Sequence, residues 1–122
     1  MIKSEKVEQI PREIFSCMNE HVLIRNEKTL SSLLAMSMDN RYLEDEEGRP
    51  LLIIGAFKLD LFSKRVELWM VATTHLGLQH LKECRKLVHE WIAKQDVEVL
   101  IRCKTGKPAQ FLRVMGFQPK EV

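Results

Sequence analysis

The chain has 122 residues, the size of one domain and enough to bury a core without metal or disulfide support. Apolar residues make up 45% and charged residues 30%, which excludes extended disorder, and a net charge of +2 gives no general argument for nucleic-acid or membrane binding. Cys17, Cys84 and Cys103 are odd in number and scattered, which suits reduced thiols rather than a disulfide framework. No apolar run approaches the roughly 20 residues of a membrane span, and the opening Met1-Ile-Lys-Ser-Glu-Lys6 lacks an apolar signal core. The expectation is a single domain over residues 1–122, kept in the cytoplasm.

Ile2 to Val7 reads as a short first strand or a frayed terminus. Pro11 suits the first turn of a helix, and Ile10, Ile14, Phe15 and Met18 recur at helical spacing, so the spacing predicts a helix from Pro11 to about Glu20. A second helix is predicted from about Lys28 to Met38, with Leu30, Leu33, Leu34 and Met38 on one side and Thr29 or Asn26 as cap. Arg41 to Glu44 reads as a short strand, and the acidic Glu44-Asp-Glu-Glu47 before Gly48 as a solvated hairpin turn. Pro50 to Phe57 is a continuous apolar run, as in a central strand covered on both faces, and Gly55 within it suggests a bulge or the close approach of another backbone.

After a turn at Leu59 to Lys64, Arg65 to Thr74 reads as a third antiparallel strand. His75-Leu-Gly-Leu78 is a tight connection, and Gln79 to Lys94 an amphipathic helix with Leu81, Cys84, Leu87, Val88, Trp91 and Ile92 on its apolar face. Such a strand, glycine turn and helix form a natural anion site, because free backbone N–H groups and the helix dipole point into the turn. Val97 to Arg102 is strand-like, and a right-handed crossover should pair it parallel to an earlier strand. Cys103 to Lys107 is a loop, Pro108 to Met115 a short helix stopped by Gly116, and Phe117-Gln118 the start of an extended segment.

This order of elements, with Phe111-Leu-Arg-Val-Met-Gly-Phe117 and Gly48-Arg-Pro-Leu-Leu-Ile-Ile-Gly-Ala56, resembles the GNAT family of N-acetyltransferases. The likeness runs from about Asp39 to Gln118. It implies an α/β (α+β) fold: a mixed central sheet, an antiparallel meander followed by a parallel strand, and helices on both faces. Within that superfamily the opening residues, the Glu67-Leu-Trp69 strand ending in Thr and the basic Arg85-Lys-Leu-Val88 helix are similar to small phage proteins, among them internal virion proteins of short-tailed phages.

The resemblance implies acetyl-coenzyme A as cofactor. Met70, Val71 and Ala72 would hold the thioester arm by β-type hydrogen bonds, the amides of Leu76, Gly77, Leu78 and Gln79 would carry the pyrophosphate, and Glu67 would serve as base through water while the amine attacks directly. The residues also depart from the family pattern. Its Arg/Gln-x-x-Gly-x-Gly/Ala signature falls on Thr73-Thr-His-Leu-Gly-Leu-Gln79, where only Gly77 remains, and Leu76 and Leu78 put side chains where backbone should approach phosphate. The family's tyrosine acid falls on Leu112, which has no proton to give. Its closing asparagine falls on Thr105, and the sequence stops at Val122, before a full last hairpin strand that would wall the acceptor pocket.

Each candidate has a plainer reading. Glu67 could be a strand-edge carboxylate paired with Arg65 or Lys64, and Trp69 a core residue. His75 could meet phosphate or be an exposed loop histidine. His80 and Cys84 share a helical face, but no second ligand pair stands at metal-binding spacing. Cys84 reads as core, and Cys103, near Arg102 and Lys104, has no assignable base. Arg102, Lys104, Lys107, Arg113 and Lys120 could cluster to hold phosphates or an acidic partner, or form a solvated face.

Two functions follow. The favoured one is a phage-type accessory or virion-associated GNAT-fold protein with a degenerate acetyl-coenzyme A site, acting through a protein partner or self-association, with no membrane or nucleic-acid partner. The alternative is an acetyl-coenzyme A-dependent N-acyltransferase with an atypical pyrophosphate loop. The first would reside in the host-cell cytoplasm or the virion.

Overall fold

A computed structural model of the chain describes residues 1–18, 26–58, 65–95, 98–102 and 106–118. Its elements in chain order are β1 (Lys3–Glu5), α1 (Glu13–Ser16), α2 (Glu27–Met36), β2 (Asp39–Glu44), β3 (Pro50–Lys58), β4 (Arg65–Ala72), α3 (Leu78–Ala93), β5 (Glu98–Ile101) and α4 (Lys107–Val114). The strands form one sheet in the order β1-β2-β3-β4-β5. The first four pair antiparallel, and β5 lies parallel to β4. The expected mixed sheet is therefore present.

Helices cover both faces because alternate residues of each strand point to opposite sides. On one face Leu52, Ile54, Val66 and Leu68 pack with Cys84, Val88 and Trp91 of α3 and with Met115. On the other, Tyr42, Ile53, Trp69 and Val71 meet Ile14 of α1 and Leu30 and Leu34 of α2. The unbroken apolar run of β3 follows from this double cover, since Pro50 through Ala56 is buried without alternation.

Several local expectations shift. Asn26 is the cap of α2, its side chain accepting from the amides of Lys28 and Thr29. The first helix is one turn, Glu13–Ser16, rather than a run from Pro11. Gly55 sits in regular register between Asn40 and Trp69, and the irregularity lies at Leu43/Glu44 instead. What requires the glycine is a side chain and not a backbone: a Cβ there would overlap Cε2, Cζ2 and Nε1 of Trp69. The turn after β2 is more than solvated charge. Asp45 is buried in it, accepting from the amides of Glu47 and Arg49 and from Arg49 Nε at 2.8 Å.

Gly116 does stop α4, at φ 91°, a backbone region that side chains disfavour. His89 Nε2 meets the Met115 carbonyl at 2.7 Å and stacks its ring on Phe117, so α3 holds the end of α4. Phe117 and Gln118 form no strand. The turn at residues 59–64, the loop at 103–105 with its Cys103 and Thr105, and Lys120 lie outside the described residues.

Candidate functional site

The sheet opens between β4 and β5. The parallel ladder runs from Arg65↔Glu98 to Leu68↔Ile101 and stops there, while β4 continues beside β3 to Leu52↔Ala72. Beyond it Thr73 bonds Leu51 of β3 through its amide, whereas the Thr74 amide turns the other way and donates to the Cys17 carbonyl at 2.8 Å. Among the described residues a gap four residues long, Trp69 to Ala72, is thus left on one edge of β4, with β5 at one end and residues 17–18 at the other. Since backbone groups alternate between edges, Trp69, Val71 and Thr73 face β3, and Met70 and Ala72 face the gap. Of the three residues assigned to a thioester arm, only these two offer backbone groups there; Val71 is turned to β3 and its side chain is fully buried.

The turn that follows is closed upon itself. The His75 amide donates to Thr73 Oγ1, Leu76 to the Thr73 carbonyl, and Gly77 to His80 Nδ1 at 3.0 Å. Together with Thr73 and Thr74, five consecutive amides are engaged within the protein. No acceptor among the described residues meets the amides of Leu78 and Gln79, which open α3. Gln79 folds its carboxamide against Gly77, and Leu78 projects into solvent with 88% of its surface exposed.

Electrostatics beside the turn favour cations. A cavity of about 270 Å³ lies between the amino terminus, the β2–β3 turn and the start of α3, lined by Asp45, Glu46, Glu47, Gln79, His80 and Glu83 together with Arg49. Glu46 pairs with the Met1 amino group, raising that group's pKa and lowering its own, and Glu83 accepts from the Ile2 amide. Burial works against the charged form of Asp45, but hydrogen bonds from Arg49 and Glu47 outweigh it and hold the carboxyl below its ordinary range. The cavity thus carries four carboxylates against Arg49 and the Met1 amino group.

Glu67 lies on β4, 12% exposed, on the face of α1 and α2. Its partner is Arg102 Nε at 2.7 Å, not Arg65, which pairs with Glu98. Because Arg102 follows the last residue of β5, this ion pair clasps the two strands where they part. Trp69 is core, with its Nε1 donating to Ser37 Oγ at 2.7 Å.

The other candidates resolve simply. Leu112 is buried, and His75 is half-buried in the turn. Cys84 is fully buried and burial pushes its thiol up to about 11, as for an inert core residue. Its neighbour His80 is committed to Gly77, and among the described residues no group of three potential ligands could hold a metal. Sequence reasoning missed the roles of His80 and Arg102. The first had a signal, a polar side chain three residues after the cap, where a side chain reaches back to the cap amide.

No protein-family model matches this sequence, and no curated protein matches it. Solved structures do. A GNAT-family acetyltransferase of Streptococcus pneumoniae superposes with a TM-score of 0.64 at 16% identity, over 97% of this chain and 88% of its own. The spermidine/spermine N-acetyltransferase of Vibrio cholerae gives 0.64 at 12% identity, over 98% and 79%. Glucosamine-6-phosphate N-acetyltransferase of Arabidopsis thaliana gives 0.59 at 11% identity, over 100% and 95%.

The fold is the GNAT fold. At these identities the likeness speaks for architecture, and what the GNAT scaffold does here rests on its residues.

Proposed function

We propose that this chain uses the GNAT fold as a scaffold, with a coenzyme site not equipped for acyl transfer, and acts through protein–protein contacts. The observation that carries this reading is the run of five amides, Thr73 to Gly77, each already bonded inside the protein. Of the four amides assigned to a pyrophosphate, Leu76 and Gly77 would have to give up these bonds, beside the acidic cavity and under the Gln79 carboxamide, while Leu78 and Gln79 meet no acceptor among the described residues. Leu112 and the clasped Glu67 point the same way, since neither acid nor base stands ready. Met36, Met38 and Val114 expose apolar surface suited to a partner or to self-association. The likeness of the opening residues and the Glu67-Leu-Trp69 strand to small phage proteins is what supports a role in an infected cell or a virion.

A second reading, an acetyl-coenzyme A-dependent N-acyltransferase, is favoured by one observation. The gap beside Met70 and Ala72 leaves strand-edge groups available to the acyl arm of a coenzyme. The edge fits that arm; the turn does not fit the pyrophosphate.

Calorimetric titration with acetyl-coenzyme A separates the two. The scaffold reading expects no heat up to about 1 mM ligand, that is, binding weaker than about −4 kcal/mol. Micromolar binding that Gly77→Glu abolishes would overturn it and make the enzyme reading the working one.

A further inference from the structure

We propose that the solvent face of α3 is a sequence-independent docking surface for the phosphate backbone of a nucleic acid. Lys82, Arg85 and Lys86 are exposed on it, and His89 continues the row. At the far end Arg85 and His89 reach across to α4: the position a Cβ of Gly116 would take lies 2.6 Å from His89 Nε2 and 3.0 Å from Arg85 Nε. Arg113, exposed in the last turn of α4, joins that end.

These cations have no partner carboxylate among the described residues: none lies within ion-pairing distance of Lys82, Arg85, Lys86 or Arg113. Glu83 is turned away to the Ile2 amide, and Glu90 is the acidic residue that follows the row on the helix. The acids concentrate elsewhere, at Glu44 to Glu47. A near-neutral total therefore hides a segregated charge. Like charges three and four residues apart repel on a helix, so the spacing of Lys82, Arg85 and Lys86 does not stabilise α3 itself, although His89 also holds the end of α4.

The chemistry of the face selects the partner. Protein interfaces deplete lysine and centre on aromatic or apolar anchors, and this row has neither at its centre. Phosphate backbones are met by point cations with no anchor required. From Lys82 to His89 the row is roughly 10 Å long, about three phosphates of one strand. This surface is distinct from the gap at Met70 and Ala72, and the inference holds whether or not that gap takes a coenzyme.

The test is fluorescence anisotropy of the full chain with a labelled 20-base-pair DNA duplex of random sequence, from 25 to 200 mM NaCl. Binding at low salt is expected, with log K falling against log salt at a slope of about −3 for three neutralised phosphates. Lys82→Gln/Arg85→Gln/Lys86→Gln should weaken binding at least tenfold and flatten the slope. The triple Lys28→Gln/Lys58→Gln/Lys107→Gln, equal in net charge, should change it less than twofold. No binding at 25 mM NaCl, or equal loss in both triples, would overturn the proposal. So would displacement by equimolar coenzyme A, or binding to poly-glutamate or anionic vesicles as tight as to the duplex.

Discussion

Along β4, Arg65 to Leu68 is bonded to strands on both sides, while among the described residues Trp69 to Ala72 pairs with β3 alone and looks into a gap on its other edge. The same strand thus has a sealed half and an open half. The sealed half ends in the Glu67–Arg102 clasp, and the open half runs into the self-bonded turn. Two glycines mark the difference. Gly55 is required by the indole of Trp69 lying on it, whereas Gly77 faces only the mobile end of Gln79. The first is a demand of packing, and the second is a place where a ligand was expected and a side chain lies instead.

The largest effect should come from filling the space over Gly55. Gly55→Val forces Trp69, buried and bonded to Ser37, out of its site, and the cost should be about 3 kcal/mol in urea unfolding. The double variant Gly55→Val/Trp69→Ala should be less destabilised than the sum of its singles, as expected for residues in contact. Additivity would show that the indole is not what the glycine serves.

Asp39 comes next. It accepts from Trp91 Nε1 at 2.8 Å and from the Asn40 amide, tying the start of β2 to α3. Burial disfavours its charged form, but those bonds and Arg41 hold the carboxyl below its ordinary pKa. A lowered folded-state pKa means stability that is present above the ordinary carboxylate range and is lost as pH falls through the lowered value. Asp39→Asn should cost about 1.5 kcal/mol at neutral pH and remove that part of the acid-induced loss. An unchanged acid limb would assign the sensitivity to Asp45 instead.

The legible part of the fold was the part written in periodicity. The apolar run of β3 and the stripe of α3 predicted double cover and a helix, and Gly116 predicted a stop. Hairpin and crossover followed from turn residues and length. What the residues did not display was pairing between distant side chains. Glu67 shares a strand face with Arg65, two residues away, yet β5 brings Glu98 to Arg65 and Arg102 to Glu67 from more than 30 positions off. The gap itself was written nowhere, because it depends on β5 stopping at Ile101 while β4 runs on. In the candidate site the composition of the turn, with Leu76 and Leu78 beside one glycine, did signal a departure from the family's glycine pattern. That His80 already fills the amide of Gly77 emerges only in three dimensions.

The clasp should matter less to stability than its position suggests. Arg102 is 79% exposed, so removing it with Arg102→Ala costs its own solvated side little and leaves Glu67 open to water on the side the arginine covered. The expected loss is about 0.5 kcal/mol by thermal unfolding. A loss above about 2 kcal/mol would mean that the two strands are held together at their parting point by charge rather than by Leu68 and Ile101.

The smallest effect should be at Gly77, and it is the one that sharpens the comparison most. Its φ of −109° is open to any residue, so alanine brings no backbone strain, and the Gln79 carboxamide it would touch can swing away. Alanine at a helix cap is disfavoured by some tenths of a kcal/mol, while the stiffer unfolded chain returns about 0.5 kcal/mol. The two terms oppose, and Gly77→Ala should leave stability within about 0.5 kcal/mol of the parent in urea. A destabilisation like that of Gly55 would show that the turn, too, is shaped by packing. A neutral result keeps the two glycines in different classes and leaves acetyl-coenzyme A affinity, compared between parent and Gly77→Ala, as the measure of whether any ligand needs that position bare.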